Sequence, residues 1–172
     1  CDNSLKALLN APTEELSTIK GIGANKAARI KASLELGRRI NYSGLNDAYQ
    51  LSSPKDVYKY MLPVFGHKDV EEFWCIYLNN NFNVLKKSRI SVGGLTEVCA
   101  DIRIILKQAL LCNATQIFAL HNHPSGSLRP SAIDNKLTEV LKKGCDCMRI
   151  RLADHIIITN AGYYSYHENG AI

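Results

Sequence analysis

Residues 115 to 134 read TQIFALHNHPSGSLRPSAID, and no other stretch limits the fold as much. TQIFAL is a short apolar run of strand type that leads directly into His121. At a strand end, side chains two apart point the same way, so His121 and His123 share one side. PSGSLRP is dense in turn formers and lets the chain reverse. SAIDNKLTEVLKKG then predicts a helix, with Ser131 at its start and Gly144 just past its end. Asp134 falls three positions after Ser131, on the same helix face. The chain is thus expected to bring one carboxylate back onto two imidazoles. Two histidines and one carboxylate, with a fourth position left for water, is the ligand count of a catalytic zinc site rather than a structural one.

The flanking segments supply the rest of a domain. SPKDVYKYMLPVFG predicts a helix capped by Ser53, with Pro54 in its first turn and with Pro63 and Gly66 ending it. EEFWCIYLNNNFNVLKKSRISVGG predicts strands over 72–78 and 82–92 around an Asn-rich turn. DIRIILKQALLCNA carries helical periodicity at Ile102, Ile105, Leu106 and Ala109. MRIRLADHIIIT and GYYSYHE read as closing strands. Strands and helices mix without regular alternation, so the expected class is α+β. His155, at the head of the last apolar strand, is expected to be a structural histidine hydrogen-bonded near the site. His67 and His167 are expected at the surface.

A smaller helical module precedes this domain. PTEELSTIK and ANKAARIKASLELGRRI predict two helices joined by Gly21-Ile22-Gly23, with Ala27, Ile30 and Leu34 on one side of the second. The expected boundaries are 1–41 for the module, 42–52 for a polar linker and 53–172 for the larger domain. Lys20, Lys26, Arg29, Lys31, Arg38 and Arg39 face only one acid, Glu35, in that stretch, which accounts for the whole formal charge of +5. The pair resembles a helix-hairpin-helix motif. Glycines at the turn expose N–H groups at the second helix's start, where a phosphate is favoured. Lys20, Gly21, Gly23, Lys26 and Arg29 are therefore candidates for contact with the DNA backbone, without sequence readout.

Composition excludes some classes. Hydrophobic residues at 46% and charged residues at 22% suit an ordinary globular chain, and no apolar run approaches the roughly 18 residues of a membrane span. The six cysteines are scattered, without a CxxC pair or a compact disulfide framework, which points to thiols in a reducing cytoplasm. Opening on Cys1 rather than methionine, the sequence reads as part of a longer protein.

His-x-His, seven residues, Ser, two residues, Asp resembles the JAMM motif of the JAB/MPN metalloprotease family. HNHPSG, DHIII (154–158) and YYSYHENG (163–170) resemble its RadC-like branch, in which a helix-hairpin-helix segment precedes the JAB domain. The resemblance implies a mixed sheet flanked by helices, of cytidine-deaminase-like fold. It implies Zn2+ as cofactor, held by His121, His123 and Asp134. It implies Ser131 as donor to an oxyanion and a glutamate at the first strand as general base. Glu71 matches that position, and Glu72 is its neighbour. Strand alternation puts the two on opposite faces, so only one can serve. One departure from the RadC-like pattern is ADIRIIL, with Asp101 and Arg103, where many such sequences carry His-Pro-Arg-Glu.

The implied activity is metal-assisted hydrolysis of a peptide or isopeptide bond. Its rivals are a non-catalytic DNA-associated module of repair or recombination, and a metal-dependent nuclease. The nitrogen-rich ligand set argues against the nuclease, because magnesium takes oxygen ligands. If the helical module contacts DNA, binding should be independent of sequence and should weaken steeply with salt through counterion release. Replacing Lys20, Lys26 and Arg29 together by alanine should abolish it in a fluorescence titration. Equal binding by the triple variant at low salt would clear Lys20, Lys26 and Arg29 of the contact, and a fragment of residues 1–50 that shows no binding even at low salt would remove the module from any DNA role.

Overall fold

A computed structural model describes residues 5–43, 49–65, 68–93 and 100–172. Cys1, Gly66, His67, Cys99 and positions 44–48 of the expected linker lie outside the described residues, as do the side chains of Arg38 and Arg39. The chain divides into two compact units, Cys1–Asp47 and Ala48–Ile172.

The smaller unit holds α1 (Leu5–Asn10), α2 (Thr13–Ser17) and α3 (Ala24–Ser43). Sequence periodicity did not single out α1, which is short. Its Leu8 packs on the buried Ala11, Leu16 and Ala27, together with Ile22 and Ile30. Between α2 and α3 the chain turns at Gly21, where φ is +88°, a conformation glycine adopts without a Cβ penalty. Gly23 O then accepts the Ala27 N–H to begin α3.

The larger unit contains α4 (Pro54–Phe65), β1 (Glu72–Leu78), β2 (Val84–Val92), α5 (Ile102–Leu111), β3 (Gln116–Asn122), α6 (Ala132–Cys147), β4 (Arg151–Thr159) and β5 (Gly162–Ser165). The strands form one sheet in the order β2-β1-β3-β4-β5, with only β3 and β4 parallel. This is a mixed α+β fold, as the sequence led one to expect. Every residue of β3 is buried, which explains its unbroken apolar run: the central strand is covered on both faces. On one face Phe73, Cys75 and Tyr77 of β1 and Ile117 and Ala119 of β3 pack with Ile105 and Ala109 of α5 and Leu141 and Cys145 of α6. On the other side α4 packs against β4 and β5, and its Phe65 ring meets Trp74 edge-on at 6.5 Å. Among the described residues, no helix is long and apolar enough to cross a membrane.

Four local expectations need correction. Pro63 does not end α4, which continues to Phe65, because Val64 and Phe65 are buried and hold the last turn. The second strand begins at Val84 rather than 82. Asn79 Oδ1 accepts the N–H groups of Asn81 and Asn83, and Phe82 takes a positive φ of 61°, so both residues belong to the turn. At the end of the expected linker, Leu51 is fully buried and its N–H donates to Phe82 O, which ties residues 49–52 to the larger unit. Gly144 does not follow α6 but lies inside it.

Gly144 is there for packing. A Cβ at that position would sit 3.1 Å from Leu106 Cδ1 and 3.4 Å from Ile102 Cγ2, so its absence lets α5 approach α6. Gly144→Val should therefore destabilise the larger unit by about 1–3 kcal/mol through overpacking. The gain in helix propensity, a few tenths of a kcal/mol, is too small to offset that. Urea unfolding measures the difference, and an unchanged midpoint would show that the two helices can part without cost.

Candidate metal centre

The site forms where β3 ends and α6 begins. Glu71, His121, His123 and Asp134 each offer one ligand atom, and these atoms all lie within 4.8 Å of one another. His121 belongs to β3, and His123 follows the strand's last residue, with its backbone still paired to Ile158 O. Their Nε2 atoms are 3.0 Å apart. The turn that brings Asp134 back closes at Gly126, where φ is +80° and the N–H donates to His123 O.

Asp134 is oriented by its own helix. Ser131 is the N-cap of α6 and Asp134 is the third helical residue, and together they form a capping box. The Asp134 N–H donates to Ser131 Oγ at 3.1 Å, and the Ser131 N–H donates to Asp134 Oδ2 at 2.7 Å. Oδ1 is left facing His121 Nε2 at 3.2 Å, while Oδ2 is 3.6 Å from His123 Nε2. Burial opposes the charge of Asp134, but the nearness of His121 and His123 and the bond from Ser131 more than offset it and hold the carboxyl far below its ordinary range. Its place in the first turn adds the favourable helix dipole. Contact with Asp134 also raises the pKa of His123 against the opposing effect of burial.

Glu71 and Glu72 face opposite ways. Glu71 Oε1 is 4.0 Å from His121 Nε2, and burial raises its pKa, with Asp134 adding to the rise and the two histidines opposing it. Glu72 is buried on the other face of β1. It accepts from Trp74 Nε1 at 2.8 Å and pairs with Lys68 at 3.0 Å and Arg89 at 3.1 Å. Burial works against its charge, yet these partners lower its pKa overall.

Sequence reasoning missed what holds Glu71 in place. Asn122, the middle residue of His-Asn-His, accepts the Glu72 N–H on Oδ1 at 2.8 Å and donates from Nδ2 to Val70 O at 3.0 Å. Its side chain brackets Glu71 and extends the β1–β3 pairing past the last partners, Phe73 and His121. From the other side, the Gly93 N–H donates to Glu71 O. No pattern in the sequence would have flagged Asn122. The capping box, in contrast, was legible as Ser-x-x-Asp before an apolar-periodic helix.

His155 touches the site directly. Its Nε2 is 2.9 Å from His121 Nδ1, its Nδ1 is 2.6 Å from Thr138 Oγ1, and burial holds it neutral. His167 is exposed. Asp101 and Arg103 lie outside the cluster: Asp101 caps α5 and pairs with the Arg103 side chain. No cysteine belongs to the cluster among the described residues. In the smaller unit, Lys20, Gly21, Gly23 and Lys26 are exposed and line one concave surface, and Arg29 is exposed beyond it. The Lys26 ammonium donates to Gly21 O at 2.9 Å.

The donor set fits a metal ion. His123 Nδ1 is 2.8 Å from Ser127 O, and a carbonyl only accepts, so the His123 proton sits on Nδ1 when the ring is neutral. Its bare Nε2 then faces His121 Nε2 and two carboxylates, an arrangement of lone pairs that asks for a cation. Ligand atoms about 2.0–2.1 Å from a tetrahedral zinc stand about 3.3 Å from each other. The 3.0 Å and 3.2 Å separations around His121 Nε2 are close to that edge.

Comparison with known proteins agrees with this geometry. A model of the RadC-like JAB domain matches residues 51–171. The chain belongs to the RadC-like JAB family. A UPF0758 protein of Flavobacterium johnsoniae is 37% identical over 97% of this chain and 73% of its own length, so the likeness extends beyond the matched domain into the smaller unit. UPF0758 proteins of Streptococcus suis and Geobacillus thermodenitrificans are 39% and 38% identical over 98% of the chain, covering 69% and 74% of their own lengths.

If His121, His123 and Asp134 ligate the ion, His123→Ala should lose most of the bound metal and keep its circular dichroism spectrum, since the domain core lies elsewhere. Elemental analysis after dialysis reads the result, and full metal retention by the folded variant would sink the assignment.

Proposed function

We propose that this RadC-like chain is a zinc-dependent hydrolase of the JAMM type that cleaves a peptide or isopeptide bond. The observation that carries the reading is the difference between three close ligand atoms and a fourth that stands off. His121, His123 and Asp134 approach one another at 3.0–3.6 Å, whereas Glu71 is 4.0 Å from His121 Nε2. A structural site would close the fourth position, and a catalytic one leaves it open.

In this reading His121, His123 and Asp134 hold the ion, and two imidazole nitrogens suit zinc better than magnesium. Bound there, zinc supplies Lewis acidity and brings the pKa of water down toward about 7. Glu71 takes a proton from the attacking water as its oxygen bonds to the carbonyl carbon, then returns that proton to the amine as the C–N bond breaks. The upward shift from burial favours this role, because a base works best with a pKa nearer the operating pH. Ser131 Oγ accepts from the Asp134 N–H and keeps its own proton to donate to the oxyanion. The exposed basic side chains around Gly21 support a second role for the smaller unit, contact with a nucleic-acid backbone, through which the hydrolase would be held near DNA.

Glu71→Gln keeps size and shape but cannot take up a proton. It should retain zinc and lose turnover by about 10²–10⁴-fold against a panel of peptide and isopeptide substrates. Glu72→Gln should leave both the metal and the rate near wild type. A fully active Glu71→Gln enzyme would exclude this carboxylate as the base.

A further inference from the structure

His155 has no part in the reaction above, yet both its ring nitrogens are engaged. It is fully buried on β4, stacked on Tyr166 at 4.9 Å with an interplanar angle of 9°, and Phe73 lies against it at 5.5 Å. Its Nε2 is 2.9 Å from His121 Nδ1, and its Nδ1 is 2.6 Å from Thr138 Oγ1. Thr138 Oγ1 is in turn 2.6 Å from the backbone carbonyl of Asp134, one turn earlier in α6.

The last member of this chain sets the direction of every proton in it. A backbone carbonyl only accepts. The Thr138 hydroxyl has a single proton, so it donates to Asp134 O and turns a lone pair to His155. His155 Nδ1 therefore carries a hydrogen and donates to Thr138. Buried between rings, with its two nitrogens facing a hydroxyl and another imidazole, His155 is a neutral imidazole with one N–H, so its Nε2 is bare and accepts. His121 Nδ1 must then be the donor. The lone pair of His121 Nε2 is left pointing to where His123 Nε2 and Asp134 Oδ1 converge.

We propose that His155 and Thr138 are positioning residues that lock His121 in its Nδ1–H tautomer and so present Nε2 to a metal ion. The purpose of the device rests on the metal-centre reading; its geometry does not. Asp134 acts twice, with its carboxylate facing the ion and its main-chain carbonyl deciding which nitrogen His121 offers. Had the protons run the other way, His121 would point an N–H at the site and could not ligate.

Imidazole ¹⁵N–¹H correlation spectra of the metal-free protein, taken roughly two pH units above the ordinary histidine pKa of about 6.5, read the tautomers directly. His121 and His155 should both be in the Nδ1–H form. Thr138→Val removes the hydroxyl at nearly constant shape. It should let His155 move its proton, populate the Nε2–H form of His121, and weaken zinc binding about 10–100-fold in chelator competition. Thr138→Ser should restore both the tautomer and the affinity, which a loss of packing alone would not predict. An Nε2–H His121 in the wild-type protein overturns the proposal without any variant, as does a folded Thr138→Val protein with unchanged tautomers. Wild-type protein with the expected tautomers but no affinity for zinc would leave the hydrogen-bond chain standing and defeat the metal-centre reading instead.

Discussion

The carboxylate of Asp134 divides its two oxygens between the start of its own helix and the histidines of β3. One oxygen accepts the Ser131 N–H and completes the capping box, and the other faces His121 at 3.2 Å. This division joins a strand end to a helix start. Without the capping box the carboxylate would be free to swing to solvent. Without the histidines it would be a buried charge with only one strong partner. Each interaction supplies what the other lacks, so local helix energetics orient a group whose chemistry is long-range.

The sheet determines what stands opposite. Because β1 runs antiparallel to β3 with Phe73 paired to His121, the residue two before Phe73 falls beside the metal-ligand candidates on the same face. That residue is Glu71. Its segment lies beyond the regular ladder and would fray if nothing held it, and the Asn122 side chain takes over where main-chain pairing stops. The two residues of β3 nearest the site thus work on different faces. His121 points to α6, and Asn122 reaches across to the backbone of β1.

Adjacent glutamates show how environment separates two identical groups. Glu72 is enclosed by an indole, an ammonium and a guanidinium, which stabilise its charge and make it a fixed anion. Glu71 is half-buried, and burial outweighs the opposing pull of His121 and His123, so its carboxyl is pushed up rather than down. One residue along the chain separates a charge held by three partners from a carboxyl that burial raises beside two histidines. The same contrast holds for the histidines: His123 is raised by its contact with Asp134, while His155 is kept neutral by full burial.

Much of this was written locally. The apolar run into His121, the turn formers after it and the Ser-x-x-Asp spacing depend on interactions within a few residues, so the sequence alone determined that a strand, a reversal and a helix bring His121, His123 and Asp134 near one another. Alternation in β1 likewise determined that Glu71 and Glu72 diverge, though not which of them faces inward, because that depends on register with a strand some forty residues away. Pro63 and Gly144 misled for the same kind of reason: both are helix breakers in isolation, and buried contacts at Val64 and Phe65, or the close approach of α5, override that tendency. Asn122 could not have been assigned from the chain at all, and for His155 the chain indicated a hydrogen bond near the site but not its partners. Each works through partners on other elements, Val70 and Glu72 for one, His121 and Thr138 for the other. A hydrogen bond across the sheet leaves no periodic trace in the sequence, and only the packed tertiary structure decides which donor meets which acceptor.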